Sequence, residues 1–140
     1  MALFVALGLK AALLARLDTF APAALVLSEC LSRVTPIWLM VSLPYVTHDA
    51  QSRSRQVTRA GPPQMYLATS IGIAVLGTSW WSGQLGDATL FAVLVAMGLT
   101  PLVCGWRFKR RAGGITGDFL GATQQLTQLA LLIALAAFQL

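Results

Sequence analysis

Charge is what this chain lacks most. Only 11% of its 140 residues are Asp, Glu, Lys or Arg, against 56% hydrophobic. An ordinary soluble domain is about 25% charged. So little charge cannot cover a water-facing surface, which excludes a soluble globular domain. Acidic residues are scarcer still, five against ten basic ones. Histidine occurs once, at His48, and cysteine twice, at Cys30 and Cys104, each inside an apolar run. With no CxxC and no Cys/His cluster, neither a zinc site nor a disulfide is expected, and the thiols are expected to pack as small buried apolar groups. The net charge of +5 does not point to nucleic acid. No basic stripe is interleaved with aromatics, and the charges are confined to short segments between apolar runs, as in membrane proteins.

What is abundant is long apolar sequence. Five segments stand out, near residues 2–17, 23–45, 66–81, 88–106 and 119–140. A span needs about 20 apolar residues, with a range of about 17 to 25. The expected fold is therefore all-α: a polytopic membrane bundle of about five transmembrane helices, forming one membrane domain over residues 1–140. The first segment lacks the basic start and cleavage site of a signal peptide and is expected to span.

The connections alternate in charge. The second (46–64) carries Arg53, Arg55 and Arg59, and the fourth (107–118) carries Arg107, Lys109, Arg110 and Arg111. Seven of the ten basic residues thus fall in two alternate connections. The positive-inside rule places both in the cytoplasm, with the N-terminus on that side. Tyr45, Tyr66, Trp80, Trp81 and Trp106 stand at segment ends, where amphipathic rings prefer the headgroup level. Pro22 suits a first helical turn. Pro36 and Pro101 are expected to kink their helices. Gly72, Gly77, Gly98 and Gly105 are expected to allow close helix contact.

Ionisable groups inside spans cost about 2.5 to 3.5 kcal/mol each on insertion scales, so they are the first candidates for chemistry. Lys10, Glu29 and Arg33 are the three here. Glu29 and Arg33 stand i,i+4 and are expected to pair, either to hold helices together or to wall a cavity for an anionic substrate. Lys10 either snorkels or faces the same cavity.

The stretch RFKRRAGGITGDFLGATQQ, residues 107–125, is richer. A basic cluster ends one helix, glycines follow, and a new helix opens at Thr116, Gly117 and Asp118. Free N–H groups at a helix start favour anions, and glycine lets a backbone approach a phosphate. Thr116 or Asp118 suits the cap. Asp118 also suits Mg²⁺, which takes one or two carboxylates plus substrate phosphates. The plainer alternative is a capped turn with a positive anchor. Gly117, Gly121, Gln124, Gln125 and Gln128 continue this as a small, polar stripe on the last helix, serving either helix packing or a cavity wall.

RRAGGITGDFLGATQQLTQLALL resembles the C-terminal signature of the cobalamin synthases, the adenosylcobinamide-GDP ribazoletransferases, in which a basic cluster runs into GGxTGDxxGA. FVALGLKAALLARL, with Lys10, and LSRVTPIWLMVSLPY, with Ser32, Arg33 and Pro36, resemble two earlier regions in the family's order. The resemblance implies an inner-membrane enzyme needing Mg²⁺. Its substrates would be adenosylcobinamide-GDP and α-ribazole or its 5′-phosphate, its products GMP and adenosylcobalamin or its phosphate. It resembles in this the CDP-alcohol phosphotransferases. Asp118 would suit the metal, Lys10 and Arg33 phosphate neutralisation, and Gly114, Thr116 and Gly117 the diphosphate; no catalytic residue is assigned. The resemblance has departures. Family members carry an upstream HLDGxxDxxDG-like stretch, the main candidate for the metal site, which is absent here. Many carry Glu at the place of Gln128. The chain is therefore expected to be the C-terminal part of a longer enzyme, inactive alone. The other function class weighed is a non-enzymatic membrane protein, such as a transporter half or an assembly subunit. Partners expected are the substrates and the bilayer, with no nucleic acid and with homo-oligomerisation left open.

Overall fold

The computed structural model describes residues 2–44, 46 and 60–138, the side chains of residues 2 and 3 excepted. Arg53, Arg55, Arg59, Tyr45 and His48 lie outside the described residues. Among the described residues six α-helices follow one another: α1 (Ala2–Leu17), α2 (Ala21–Ser32), α3 (Val34–Ser42), α4 (Pro62–Trp81), α5 (Asp87–Ala112) and α6 (Gly117–Phe138). Each apolar segment has become helical, the second divided at Arg33. Three stretches are long and apolar enough to cross a membrane: residues 4–42 taken together, α5 and α6. Among the described residues, α4 is long enough but is not among them.

Residues 4–42 do not run straight. A single 3-10 turn, Asp18–Phe20, joins α1 to α2, and Asp18 has φ 43. Aspartate is one of the few non-glycine residues that enter this left-handed region readily. The chain folds back there, because Lys10 on α1 and Glu29 on α2 both reach Gln128. Pro22 stands in the first turn of α2, where its missing N–H costs nothing.

The division at Arg33 traces to Pro36. Proline cannot donate to the carbonyl four residues back, which is that of Ser32. The Thr35 hydroxyl lies 3.1 Å from that carbonyl and donates to it. Thr35 and Thr127 hydroxyls are 3.0 Å apart and buried. Each has one proton. The Thr123 carbonyl, inside the regular helix α6, already has the Thr127 backbone N–H. With its second lone pair it also accepts from the Thr127 hydroxyl at 2.8 Å, so the two buried hydroxyls meet while each also faces a carbonyl of its own segment. Pro101, by contrast, lies inside α5 without dividing it.

α6 sits at the centre, packed by α1, α2, α3 and α5. The core gathers Ala24, Leu27, Leu31, Val93, Met97, Leu131, Leu132 and Leu135. Gly72 and Gly105 permit close approach: a Cβ on Gly72 would lie 3.4 Å from Val34, and one on Gly105 would lie 2.9 Å from Leu39. Gly77 and Gly98 have no such neighbour. Elsewhere the helices present bare hydrocarbon. Phe4, Val5, Phe91, Leu99, Leu102 and Val103 are all more than half exposed. In water such a surface would aggregate; against lipid tails it is ordinary. Trp81, Tyr66 and Trp106 are also more than half exposed near helix ends, as an interfacial belt requires.

Candidate functional site

At one end of the bundle two distant connections meet. The Val46 N–H donates to the Ile115 carbonyl at 2.9 Å, and the Ile115 N–H donates to the Pro44 carbonyl at 3.0 Å. This two-bond bridge ties the start of the connection that holds Arg53, Arg55 and Arg59 to the GGITGD loop. The two basic connections thus leave the bundle at the same end, as their charge alternation implies. Ile115 is buried with Leu39 and Leu120, which anchors the loop to α3 and α6. Phe108 and Phe119 stack beside them, centroids 4.3 Å apart and 5° from parallel.

The loop glycines divide their tasks. Gly113 closes α5 with φ 74, the left-handed cap that glycine adopts at no steric cost. Gly114 is buried, and a Cβ there would lie 2.2 Å from the Pro44 carbonyl oxygen and 2.5 Å from Val46. Gly114 thus makes room for another stretch of this chain. Thr116 caps α6, its hydroxyl accepting from the Phe119 N–H at 3.4 Å, in the N-cap to N3 pattern. Gly117 opens the helix and is exposed. Asp118 follows in the first turn, exposed and without a hydrogen bond or ion pair among the described residues. The positive end of the helix favours its charge. Lys109, Arg110 and Arg111 crowd the last turn of α5, with Arg110 over the Trp106 ring at 4.6 Å.

Deeper in the bundle the intramembrane charges are arranged otherwise than their spacing suggests. The i,i+4 pair of Glu29 and Arg33 does not form. Glu29 instead accepts from the Gln128 amide nitrogen. Lys10 donates to the side-chain oxygens of Gln125 and Gln128. One amide, 2% exposed, therefore bridges an ammonium and a carboxylate, using its oxygen for one and its nitrogen for the other. The cluster ties α1, α2 and α6 together and cancels its own charge. Arg33 is exposed and makes no polar contact among the described residues. Ser28 and Ser32 are fully buried and bond within their own helix. Cys30, expected to be buried, is exposed; Cys104 is buried, and both are free thiols.

The stripe on α6 also splits. Gln128 turns inward. Asp118, Gly121 and Gln125 are exposed, at i, i+3 and i+7 on one face. A Cβ on Gly121 would meet nothing within 4 Å. An open, small-residue strip therefore runs from Asp118 towards the Gln125–Lys10 contact. It faces outward and does not wall an internal cavity. The distinct cavity of about 660 Å³ between α3, α4 and α5 includes none of Lys10, Arg33, Gly114, Thr116, Gly117 or Asp118. Arg33 lies near the level of Thr35 and Thr127, nine residues from Asp118 along α6, or roughly 14 Å at 1.5 Å per residue.

Residues 1–136 match the family model described as cobalamin-5-phosphate synthase. The chain belongs to that family. It is 35% identical to an adenosylcobinamide-GDP ribazoletransferase of Shewanella woodyi, covering all of this chain and 54% of the relative. A protein of the same description from Leptothrix cholodnii is 37% identical over 89% of this chain and 48% of its own length. Another, from Shewanella frigidimarina, is 30% identical over 98% of this chain and 52% of its own length. The chain spans about half the length of the curated relatives it matches. No solved structure matches it.

Mg²⁺ is an expectation from the resemblance alone, and the residues present would suit it in one limited way. Among the described residues no group of three or more His, Cys, Asp or Glu comes together, so no cage of protein ligands is formed. Asp118, exposed and unpartnered, is the type of single carboxylate that Mg²⁺ uses when phosphates and waters supply the remaining ligands. Sequence reasoning missed the Lys10–Gln128–Glu29 bridge. Spacing along one helix drew Glu29 to Arg33, and the contact that forms instead joins residues 99 positions apart.

Proposed function

We infer that this chain serves cobalamin synthesis as part of an adenosylcobinamide-GDP ribazoletransferase. The transfer would move adenosylcobinamide phosphate from adenosylcobinamide-GDP to α-ribazole or its 5′-phosphate. A ribazole hydroxyl forms a bond to the cobinamide-bound phosphorus, the phosphoanhydride bond breaks, the hydroxyl proton is lost, and GMP leaves. The observation that carries this reading is the family match over residues 1–136. The geometry supports where the diphosphate would lie: along the open strip that begins at Asp118, beside the basic end of α5. Asp118 would hold Mg²⁺ together with the diphosphate, and bound Mg²⁺ would offset charge developing on the leaving phosphate. The Arg107–Arg111 cluster and the N–H groups of Gly117 and Asp118 would attract the anion. Arg33, with no polar partner among the described residues, would neutralise phosphate presented from outside the bundle. Lys10 would have to exchange Gln125 for the substrate to do so. Gly114 and Thr116 would shape the loop. The basic end would face the cytoplasm, with the chain in the inner membrane and the N-terminus cytoplasmic.

Equilibrium dialysis of adenosylcobinamide-GDP against the chain in detergent, with and without Mg²⁺, tests this reading. Binding is expected to require Mg²⁺. Asp118→Asn and Arg33→Ala are each expected to weaken it about tenfold, or ~1.4 kcal/mol. Undetectable binding at millimolar ligand, or binding indifferent to Mg²⁺ and to both variants, would overturn it. GMP release in the presence of α-ribazole is expected to stay far below the rate of a longer relative, since one free carboxylate cannot replace a ligand-rich metal site. Turnover at a relative's rate would sink that last expectation.

A further inference from the structure

The cavity of about 660 Å³ between α3, α4 and α5 touches the proposed reaction only at Lys109, one member of the basic cluster that ends α5. Its walls are apolar: Leu39, Leu43 and Trp38 from α3 and its exit, Met65 and Tyr66 from α4, Pro101 and Leu102 from α5. The Trp38 indole N–H donates to the Thr69 hydroxyl at 2.8 Å, so these two polar groups of the wall satisfy each other. Along α5 the cavity runs from Gly98 to Lys109. Eleven residues at 1.5 Å each make roughly 16 Å, close to one leaflet of a hydrocarbon core about 30 Å thick. Its two ends differ in chemistry. At Gly98 there is open space, with nothing within 4 Å of where a Cβ would stand. The other end is bordered by Trp106 and Lys109, with Arg110 stacked on the Trp106 ring and Arg111 in the same last turn. The aromatic rings mark the headgroup level, and the cations beside them are not paired with any carboxylate among the described residues.

We propose that this groove is a binding site for one anionic phospholipid, with an acyl chain lying along Gly98, Pro101 and Leu102 and the headgroup phosphate against Lys109. Three properties coincide: apolar walls, one-leaflet depth, and positive charge confined to the headgroup end. Basic pockets between helices on the cytoplasmic side of membrane proteins recognise anionic headgroups in this way. A zwitterionic lipid would fill the same walls but present a choline or amine to the cations.

Native mass spectrometry of the full chain in detergent, with equal phosphatidylglycerol and phosphatidylcholine, tests this. The chain is expected to retain one phosphatidylglycerol at least fivefold over phosphatidylcholine. Lys109→Gln is expected to bring that ratio near one. Gly98→Phe, whose Cβ would meet nothing within 4 Å and whose ring would occupy the open end, is expected to abolish retention of both lipids. A second measurement does not depend on that variant folding. With Trp80, Trp81 and Trp106 changed to Phe, Trp38 emission is expected to be quenched more by acyl-brominated phosphatidylglycerol than by the brominated choline lipid. Equal retention of the two lipids, retention unaffected by Gly98→Phe, equal quenching by both, or a groove occupied by a second copy of the chain would each overturn the proposal. None of these readouts involves substrate, so the reaction proposed above stands or falls separately.

Discussion

The centre of the bundle and its loop end both hold rare polar groups, and the fold treats them in opposite ways. At the centre, Lys10 and Glu29 are joined through Gln128 and their charges cancel, while Arg33, at a similar depth, is exposed and makes no polar contact among the described residues. At the loop end, Asp118 and Arg111 make no polar contact among the described residues, while the glycine expected to admit a phosphate is occupied by the chain's own backbone. Low dielectric explains the contrast. Deep in hydrocarbon an unpaired charge is expensive, so one buried inside the bundle finds an internal partner, whereas a long side chain on the outside, such as Arg33, can reach towards the interface. At the membrane surface water solvates the charge, so it can wait for a ligand. Charges paired inside the bundle are therefore expected to govern stability, and the unpaired ones, Asp118, Arg111 and Arg33, to govern binding.

The largest effect that would break this contrast is expected at Gly114. Gly114→Val places atoms where the Pro44 carbonyl and Val46 now sit. It should cost about 3 kcal/mol, from overpacking together with loss of the two backbone bonds to Ile115. Thermal unfolding in detergent measures it, and protease cleavage after the Arg53–Arg59 basic residues should accelerate. An unchanged midpoint would mean that the bridge between the connections does not hold.

Next comes the central cluster. Lys10→Met leaves Glu29 and Gln128 without their cation and should cost about 2 kcal/mol, since removing one partner strands the other charge. The triple change Lys10→Met, Glu29→Met and Gln128→Leu should recover most of that loss. If the triple variant is as unstable as the sum of its parts, the three residues do not act as a unit.

Thr35→Val sharpens the account of the broken helix. It removes the hydroxyl that serves the Ser32 carbonyl and meets Thr127, and should cost about 1 kcal/mol. Hydrogen bonds between membrane helices average about 0.6 kcal/mol, and here one further carbonyl loses its donor. Thr127→Val should cost less, because the Thr35–Ser32 bond survives.

Asp118→Asn is expected to have the smallest effect on stability, within about 0.5 kcal/mol, through a weakened interaction with the helix dipole. Its effect belongs to binding: Mg²⁺-dependent retention of adenosylcobinamide-GDP should fall about tenfold. A stability loss as large as that of Lys10→Met would erase the distinction between centre and rim.

Much of this molecule was legible in its sequence because hydrocarbon is a demanding solvent. A backbone in lipid must satisfy itself internally, so each apolar run had to be helical. The break near Pro36 was legible for the same reason, since a missing donor has a fixed position. The cap at Thr116 was legible from local spacing. The number of crossings was less so. Residues 4–42 read as two segments, form one long apolar stretch and fold back at Asp18, while α4 falls short of the others in apolarity. The site was only partly legible. Asp118 is free as its position suggests, and Gly114 is not, because the residue that fills its space lies 70 positions earlier, at Pro44.

Composition and periodicity alone determined the solvent, the helical class and the end of the bundle at which positive charge collects, since each depends on a residue's own chemistry and its near neighbours. Only the folded chain decided that Glu29 answers to Lys10 through Gln128 and not to Arg33, and that Ile115 binds the far connection. Those outcomes depend on which helices lie side by side. A helix offers several faces of similar polarity, and packing against α6 selects which of them is buried.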